Sequence, residues 1–125
     1  MRTCVELRGS ISVAHNPSFS PEWSRVHGHD YIITVGICKE GYVELVVDAG
    51  EAGKKLEAVL THMDGRYLAS SVEKDVPQGA YVVPCSLPGV SGECIARHVA
   101  ELIDATWVRV CESGLGGPCF YFEKT

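Results

Sequence analysis

The stretch HGHDYIITVGICKEGYVELVVD, residues 27–48, decides the fold because it combines two strand patterns with a pair of histidines. Residues 29–39 and 42–47 are rich in β-branched and aromatic types, which are typical of strands. The intervening KEG at 39–41 predicts a tight turn. We therefore expect these two segments to form an antiparallel hairpin.

Strand patterns also lie before this stretch and near the end of the chain. Residues 3–14 alternate between apolar and polar types and predict a first strand. Asparagine, serine and proline then cluster in residues 16–26, which predicts a loop that returns to the sheet near His27. Residues 107–111 and 117–122 predict two closing strands joined by a glycine-rich turn.

Two helices are predicted between these strands. After Asp48, apolar residues recur at helical spacing up to Met63. A second helix is predicted to begin after an N-cap at Ser91, and residues 64–90 are expected to be mostly irregular. We expect an α+β fold in which a four-stranded antiparallel sheet carries two helices on one face. Because such a sheet has exposed edge strands, we also expect oligomerisation.

The composition favours one globular domain over residues 1–125, since 46% of the residues are apolar and 22% are charged. The 16 acidic residues outnumber the 11 basic ones, which are scattered, so we expect no nucleic-acid surface. No segment approaches the roughly 20 apolar residues of a membrane span, and no signal peptide is evident, so we expect a cytoplasmic protein. Because that compartment is reducing, we expect the six cysteines to be free and mostly buried.

Three of the five histidines fall at the ends of neighbouring predicted strands. His27 and His29 share a strand face, and His15 can supply a third imidazole if the strands are adjacent. Three imidazoles with an open coordination position are typical of catalytic zinc, so we take Zn²⁺ as the cofactor. The alternative is that each histidine is a surface or hydrogen-bonded residue, the commoner outcome for H-x-H alone. His98, beside Arg97 on the second helix, is expected to be solvated.

Several short blocks occur in a characteristic order: ISVAH at 11–15, HGHDY at 27–31, VVD at 46–48, MDGRYLA at 63–69, SGECIA at 91–96 and VCES at 110–113. In this order they resemble the 6-pyruvoyltetrahydropterin synthase and 6-carboxytetrahydropterin synthase family, over nearly the whole chain. The resemblance implies a tunnelling fold, in which the sheets of several subunits join into a barrel. It also implies a homotrimer or homohexamer with sites at the subunit boundaries.

The resemblance implies roles for the candidate site residues as well. It implies that the three clustered histidines bind Zn²⁺ and that Glu112 accepts hydrogen bonds from the guanidine-like edge of a pterin ring. The pattern of the last strands independently places Glu112 with Val108 and Val110 on the apolar face, where a carboxylate needs a partner. A salt bridge to an arginine is the alternative.

The loop before the H-G-H block departs from the family pattern. Family members place a catalytic cysteine there, whereas residues 16–26 contain none. Glu22 lies in this loop and is the candidate acid–base residue, since a branch of the family carries a glutamate there. The alternative is a solvated loop glutamate.

A second departure lies at Gly65, which stands where the family's Asp-His dyad has its histidine. Asp64 remains as the dyad's candidate, and His62 is either a substitute for the histidine or a residue that interacts with the C-terminus of the first helix. Arg25 and Arg66 are the nearby cations for a triphosphate.

These residues predict a zinc-dependent, pterin-forming lyase that acts on dihydroneopterin triphosphate, a small-molecule substrate. Two reactions remain open: side-chain cleavage to a 6-hydroxymethylpterin, which Glu22 suggests, and formation of 6-carboxytetrahydropterin on the route to deazapurine nucleosides. The alternative is a non-catalytic module that binds zinc and a pterin or purine. The missing cysteine and Gly65 favour that module, whereas the histidines and Glu112 speak against it.

Overall fold

The computed structural model describes residues 1–124 and contains two sheets and two helices. The elements are β1 (Arg2–His15), β2 (His27–Glu40), α1 (Ala49–Met63), β3 (Leu68–Ser70), β4 (Tyr81–Val83), α2 (Gly92–Ile103), β5 (Trp107–Glu112) and β6 (Cys119–Glu123). The main sheet is antiparallel with the order β1-β2-β5-β6, while β3 and β4 form a small parallel sheet. Helix α1 packs on β1, and α2 packs on β5 and β6. The predicted four-stranded α+β fold is confirmed.

Strands β1 and β2 pair along their whole lengths, from Arg2 opposite Glu40 to His15 opposite His27. Because side chains alternate along a strand, the odd-numbered residues of both strands face the helices and the even-numbered residues face away. The helix-facing side chains that are buried in these two strands are Ile11, Val13, His15, Tyr31, Ile33 and Val35. The pairing of β1 with β2 therefore places His15 and His27 next to each other at one end of the hydrophobic core.

The predicted hairpin that pairs residues 42–47 with β2 is wrong. β2 is a central strand, because β1 occupies one of its edges and β5 the other. Segment 42–47 therefore finds no free edge of β2 to pair with and follows an irregular path. The Thr3 hydroxyl anchors this path by donating to the Gly41 carbonyl (2.7 Å) and accepting from the Val43 amide (3.1 Å). Of the apolar residues in this segment, Val46 is the one whose side chain is buried.

Both helices begin where the sequence predicts, α1 directly after Asp48 and α2 directly after the predicted cap Ser91. The Asp48 side chain accepts the Glu51 amide at the start of α1 (2.9 Å). The Ser91 hydroxyl accepts the Cys94 amide at the start of α2 (3.2 Å). Each cap satisfies an amide that has no partner within its helix. Within residues 1–124, neither helix is long and apolar enough to cross a lipid bilayer.

The region between the helices is more ordered than predicted, because β3 and β4 pair within it. The Tyr81 hydroxyl on β4 lies 2.6 Å from Nε2 of His98 on α2. His98 is half-buried, and this burial lowers its pKa because it disfavours the charged imidazole. The expectation that His98 is solvated is therefore wrong, since this residue joins α2 to β4.

The prediction of free cysteines is also wrong. All six form disulfides, Cys4–Cys38, Cys85–Cys94 and Cys111–Cys119. Only Cys85 is buried. Two of the bonds join residues directly opposite each other on paired strands, with Cα atoms 4.1 and 4.0 Å apart. Disulfides persist in oxidising compartments and in the cytosol of hyperthermophiles, so the cysteines no longer support the predicted cytoplasmic location.

Candidate metal centre

The three histidines converge at the end of the β1–β2 ladder. His15 lies opposite His27, and His29 follows two residues later on the same face. Nε2 of His27 is 3.2 Å from Nε2 of His15 and 3.0 Å from Nε2 of His29. One ligand atom from each ring lies within 4.8 Å of the other two. The strands thus aim three ring nitrogens at one point.

The second nitrogen of each ring faces an oxygen atom. Nδ1 of His15 donates to the Val90 carbonyl (2.8 Å) and Nδ1 of His27 to the Arg25 carbonyl (3.0 Å). Nδ1 of His29 lies 3.5 Å from a carboxylate oxygen of Glu112. A proton held on each Nδ1 leaves the Nε2 lone pair free. Oxygen partners of this kind orient histidine ligands in metal sites, so the arrangement fits a divalent cation.

The protonation state of His15 also suits ligation. His15 is 7% exposed, and its burial lowers its pKa because the charged ring is poorly solvated. The neighbouring His27 and His29 lower it further, while the hydrogen bond to the Val90 carbonyl and the charge of Glu73 act in the opposite direction. The ring is therefore neutral near pH 7, which is the form that binds metals.

A cavity of about 500 Å³ opens beside the histidines. Its lining combines imidazoles, aromatic rings and two carboxylates: His15, Pro17, Phe19, Ser20, Trp23, His27, His29, Tyr31, Ser91, Gly92, Glu93, Glu112, Pro118 and Phe120. Among residues 1–124, the lining includes no lysine or arginine. Such a volume and composition suit a small planar molecule that carries hydrogen-bond donors.

Glu112 lies where the sequence predicts, at the end of β5 and opposite Tyr31. Its side chain is 23% exposed, and its contact is with His29 instead of an arginine. Burial raises the pKa of Tyr31, and the charge of Glu112 adds to that effect. Because a carboxylate has two oxygens, Glu112 can contact His29 with one and a ligand with the other.

The 16–26 loop lines the cavity with other residues than the predicted Glu22 and Arg25. Ser20 and Trp23 line the cavity, whereas Glu22 between them is exposed and does not. The Arg25 guanidinium stacks on the Trp23 ring, 5.4 Å from its centroid. Arg25 thus reaches the centre through its backbone carbonyl, which accepts from His27.

The structure places Asp64 and Arg66 along the outer edge of β1, away from this cavity. Asp64 accepts the Ser12 amide (2.7 Å), and the Arg66 carbonyl accepts the Ala14 amide (3.1 Å). These bonds satisfy amides that an edge strand would otherwise leave open. The Arg66 guanidinium donates to the Gly79 carbonyl. His62 is exposed in the last turn of α1.

Sequence reasoning missed Glu93 and three aromatic rings as cavity residues. In the sequence, Glu93 has the ordinary signature of an acidic residue in the first turn of a helix, where the helix dipole favours a negative charge. Its position in the first turn of α2 was the available signal, because the strand ends and the start of α2 meet at the cavity. The rings of Phe19 and Trp23 in the 16–26 loop and of Phe120 in β6 had a weaker signal, since aromatic residues are common in loops and in strands.

The family model described as "6-pyruvoyl tetrahydropterin synthase" matches residues 5–114. This chain belongs to that family. The match extends over β1 to β5 and so includes the three histidines and Glu112. The family predicted from the sequence blocks is confirmed. A search of curated proteins found no match.

Solved structures of 6-pyruvoyltetrahydropterin synthases share this fold. The Caenorhabditis elegans enzyme aligns with a TM-score of 0.68 at 19% identity, over 100% of this chain and 97% of that chain. The Plasmodium falciparum protein gives 0.70 at 15% identity, over 98% and 99%. A Plasmodium vivax variant in which alanine replaces a catalytic glutamate gives 0.70 at 14% identity, over 99% of both chains. At these identities the likeness establishes the fold.

Proposed function

We propose that the chain, acting as one domain over residues 1–125, is a zinc-dependent lyase that acts on the side chain of dihydroneopterin triphosphate. The observation that carries the proposal is the convergence of three Nε2 atoms whose rings are each oriented from behind by an oxygen atom. Three imidazole ligands leave a tetrahedral cation one open position, as in catalytic zinc sites. Family membership supports the pterin substrate.

Different residues of the cavity would bind the metal ion and the pterin. His15, His27 and His29 would hold the ion, and Glu112 would accept hydrogen bonds from the amino-pyrimidine edge of the pterin. Bound zinc supplies polarisation of the substrate's side-chain oxygens, which acidifies the neighbouring C–H bond. Glu112 also keeps His29 in its ligating orientation through the contact at Nδ1.

We assign the movement of the proton to Glu22. The Plasmodium vivax relative has a catalytic glutamate, which supports a carboxylate in this role. For Glu22 to act, the 16–26 loop must turn it toward the cavity, where its neighbours Ser20 and Trp23 already lie. Proton transfer by Glu22 is compatible with either product, a 6-hydroxymethylpterin or 6-carboxytetrahydropterin.

We further propose a homotrimer or homohexamer. Asp64, His62 and Arg66 lie outside the cavity of their own subunit, so their proposed roles in catalysis and triphosphate binding operate across a subunit boundary. Arg25, at the rim of the cavity on the 16–26 loop, is the proposed triphosphate contact within the subunit. Edge strands β1 and β6 are the surfaces that would join neighbouring sheets.

The exposure of Glu22 supports a second candidate function, a non-catalytic module that binds zinc and a pterin or purine. In that case the histidines and Glu112 form a binding site without an acid–base residue. Gly65, in place of the family's dyad histidine, is consistent with the same loss.

Incubation of the zinc-loaded protein with dihydroneopterin triphosphate, followed by chromatography of the pterins, separates the two candidates. Turnover that disappears in Glu22→Ala supports the lyase. Glu44→Ala is the matched control, because Glu44 is also an exposed loop glutamate but lies outside the cavity. Tight pterin binding without a product supports the module. Absence of both zinc binding and pterin binding contradicts both candidates.

A further inference from the structure

A disulfide closes the loop that contacts one of the candidate metal ligands. Cys85 and Cys94 are nine positions apart, and their bond closes a short loop that runs into the first turn of α2. Within this loop, the Val90 carbonyl accepts the hydrogen bond from Nδ1 of His15. The disulfide therefore restrains the loop that orients His15 from behind.

The same loop also packs against residues 16–18, which directly follow His15. A Cβ atom at Gly89 would lie 2.4 Å from the Asn16 carbonyl oxygen, and φ at Gly89 is +139°, so this contact requires glycine. The Ser18 hydroxyl donates to the Pro88 carbonyl. Residues 88–90 and 16–18 therefore touch through their backbones, and a shift in one segment displaces the other.

No ladder of backbone hydrogen bonds fixes this loop, because residues 84–91 lie between β4 and α2 and belong to neither. Cys85 is 4% exposed and Val90 is fully buried. Cys94 is held by α2, so the disulfide links the irregular loop to a rigid helix. The covalent bond thus gives the loop that carries the Val90 carbonyl a restraint that no strand or helix provides there.

We propose that the Cys85–Cys94 disulfide positions His15 for metal binding, so that its loss weakens the affinity of the three-histidine centre for a divalent cation. The inference rests on the proposed function, because it takes the three histidines as ligands. Cys85 and Cys94 are positioning residues, since they act on the centre through Val90 and His15.

The test compares two double variants. Cys85→Ser/Cys94→Ser removes this disulfide, and serine is used because a free thiolate would itself bind the metal. Cys4→Ser/Cys38→Ser is the matched control, since it removes a disulfide near the opposite end of the β1–β2 ladder. Zn²⁺ affinity is measured by competition with a chromogenic chelator, and Co²⁺ coordination by visible absorption.

We expect Cys85→Ser/Cys94→Ser to bind Zn²⁺ about 10- to 100-fold more weakly, the usual effect of removing a group that supports a metal ligand. Its Co²⁺ spectrum should change as well, while the control keeps wild-type affinity and spectrum. Unchanged affinity in Cys85→Ser/Cys94→Ser overturns the inference. An equal loss in both variants also overturns it, because the effect would then come from general stability.

The proposed function can fail separately from this inference. If the wild-type protein binds neither Zn²⁺ nor Co²⁺, the proposed function and the inference both fall. If wild-type binding persists without the disulfide, the inference alone falls. Should Cys85→Ser/Cys94→Ser fail to fold by circular dichroism, Gly89→Ala provides the second test. That variant keeps the disulfide but pushes the loop away from Asn16, so its Zn²⁺ affinity should fall in the same way, and unchanged affinity overturns the inference.

Discussion

The two ends of the β1–β2 ladder carry similar residue pairs with different consequences. At one end His15 lies opposite His27, and near the other Cys4 lies opposite Cys38. The histidines are odd-numbered and face the helices, whereas the cysteines are even-numbered and face away. A shift of one residue along a strand therefore separates a candidate ligand pair beside a cavity from a covalent link on the open face of the sheet.

This comparison separates stability from function along a single pair of strands. The histidine end depends on groups from distant segments, namely the Val90 carbonyl and the Glu112 carboxylate. The cysteine end depends only on the strand register, which brings two side chains together on one face. Substitutions at the first end should alter binding, and substitutions at the second should alter unfolding.

The largest expected effect is the loss of metal binding in His27→Ala. Structural zinc sites with four ligands bind with about 10–16 kcal/mol, so one ligand accounts for about 2.5–4 kcal/mol, a loss of about 10²- to 10³-fold in affinity. Zn²⁺ affinity by chelator competition and metal content by elemental analysis measure the effect. His98→Gln is the control, because His98 lies outside the centre. Wild-type metal content in His27→Ala would contradict the assignment of this ligand.

The next effect concerns the cysteine end. Loop-closure entropy predicts that Cys4→Ser/Cys38→Ser lowers the free energy of unfolding by about 4 kcal/mol and Cys111→Ser/Cys119→Ser by about 2.5 kcal/mol. The difference arises because the sequence separations are 34 and 8. Urea unfolding under non-reducing conditions with a chelator present measures both losses. The reverse order would show that native-state contacts outweigh the chain-entropy contribution.

A smaller effect is expected at Glu112. Glu112→Ala should weaken pterin binding about 10- to 100-fold, since it removes a charged hydrogen-bond acceptor. Glu112→Gln should fall between wild type and alanine, because it keeps an acceptor without the charge. Pterin affinity is measured by fluorescence titration. Glu101→Gln on α2 is the control, and an equal loss there would show that general charge, instead of a contact, governs binding.

The fold was largely predictable because strand parity and helix caps are local signals. Asp48 and Ser91 begin the two helices as predicted. The prediction of a hairpin at 42–47 was wrong because β propensity does not reveal whether a strand edge is free. In the structure, β1 and β5 occupy both edges of β2. The prediction of free cysteines failed for a related reason, since Cys4 and Cys38 meet only through a register that is fixed by distant pairing.

The site was predictable where strand ends define it. The period of two brings the three histidines to one face, so their convergence follows from the sequence once β1 and β2 are neighbours. The Val90 contact was unpredictable, because a backbone carbonyl has no residue-type signature. The position of Asp64 along the edge of β1 was also hidden, since it depends on how the chain turns after α1.

The smallest expected effect concerns His98, a histidine that belongs to neither end of the ladder. Burial lowers its pKa in the folded protein, and the charge of Glu101 acts in the opposite direction. The Tyr81 hydroxyl lies at its Nε2. Below the ordinary histidine pKa of about 6.5, the unfolded chain therefore binds a proton that the folded chain resists, and stability falls as pH decreases from about 7 to 5.5. His98→Gln keeps an acceptor for Tyr81 and does not titrate, so its stability should fall less over this range. Urea unfolding of both proteins in chelator measures the difference, and because the three clustered histidines contribute equally to both, parallel pH profiles would contradict the assignment.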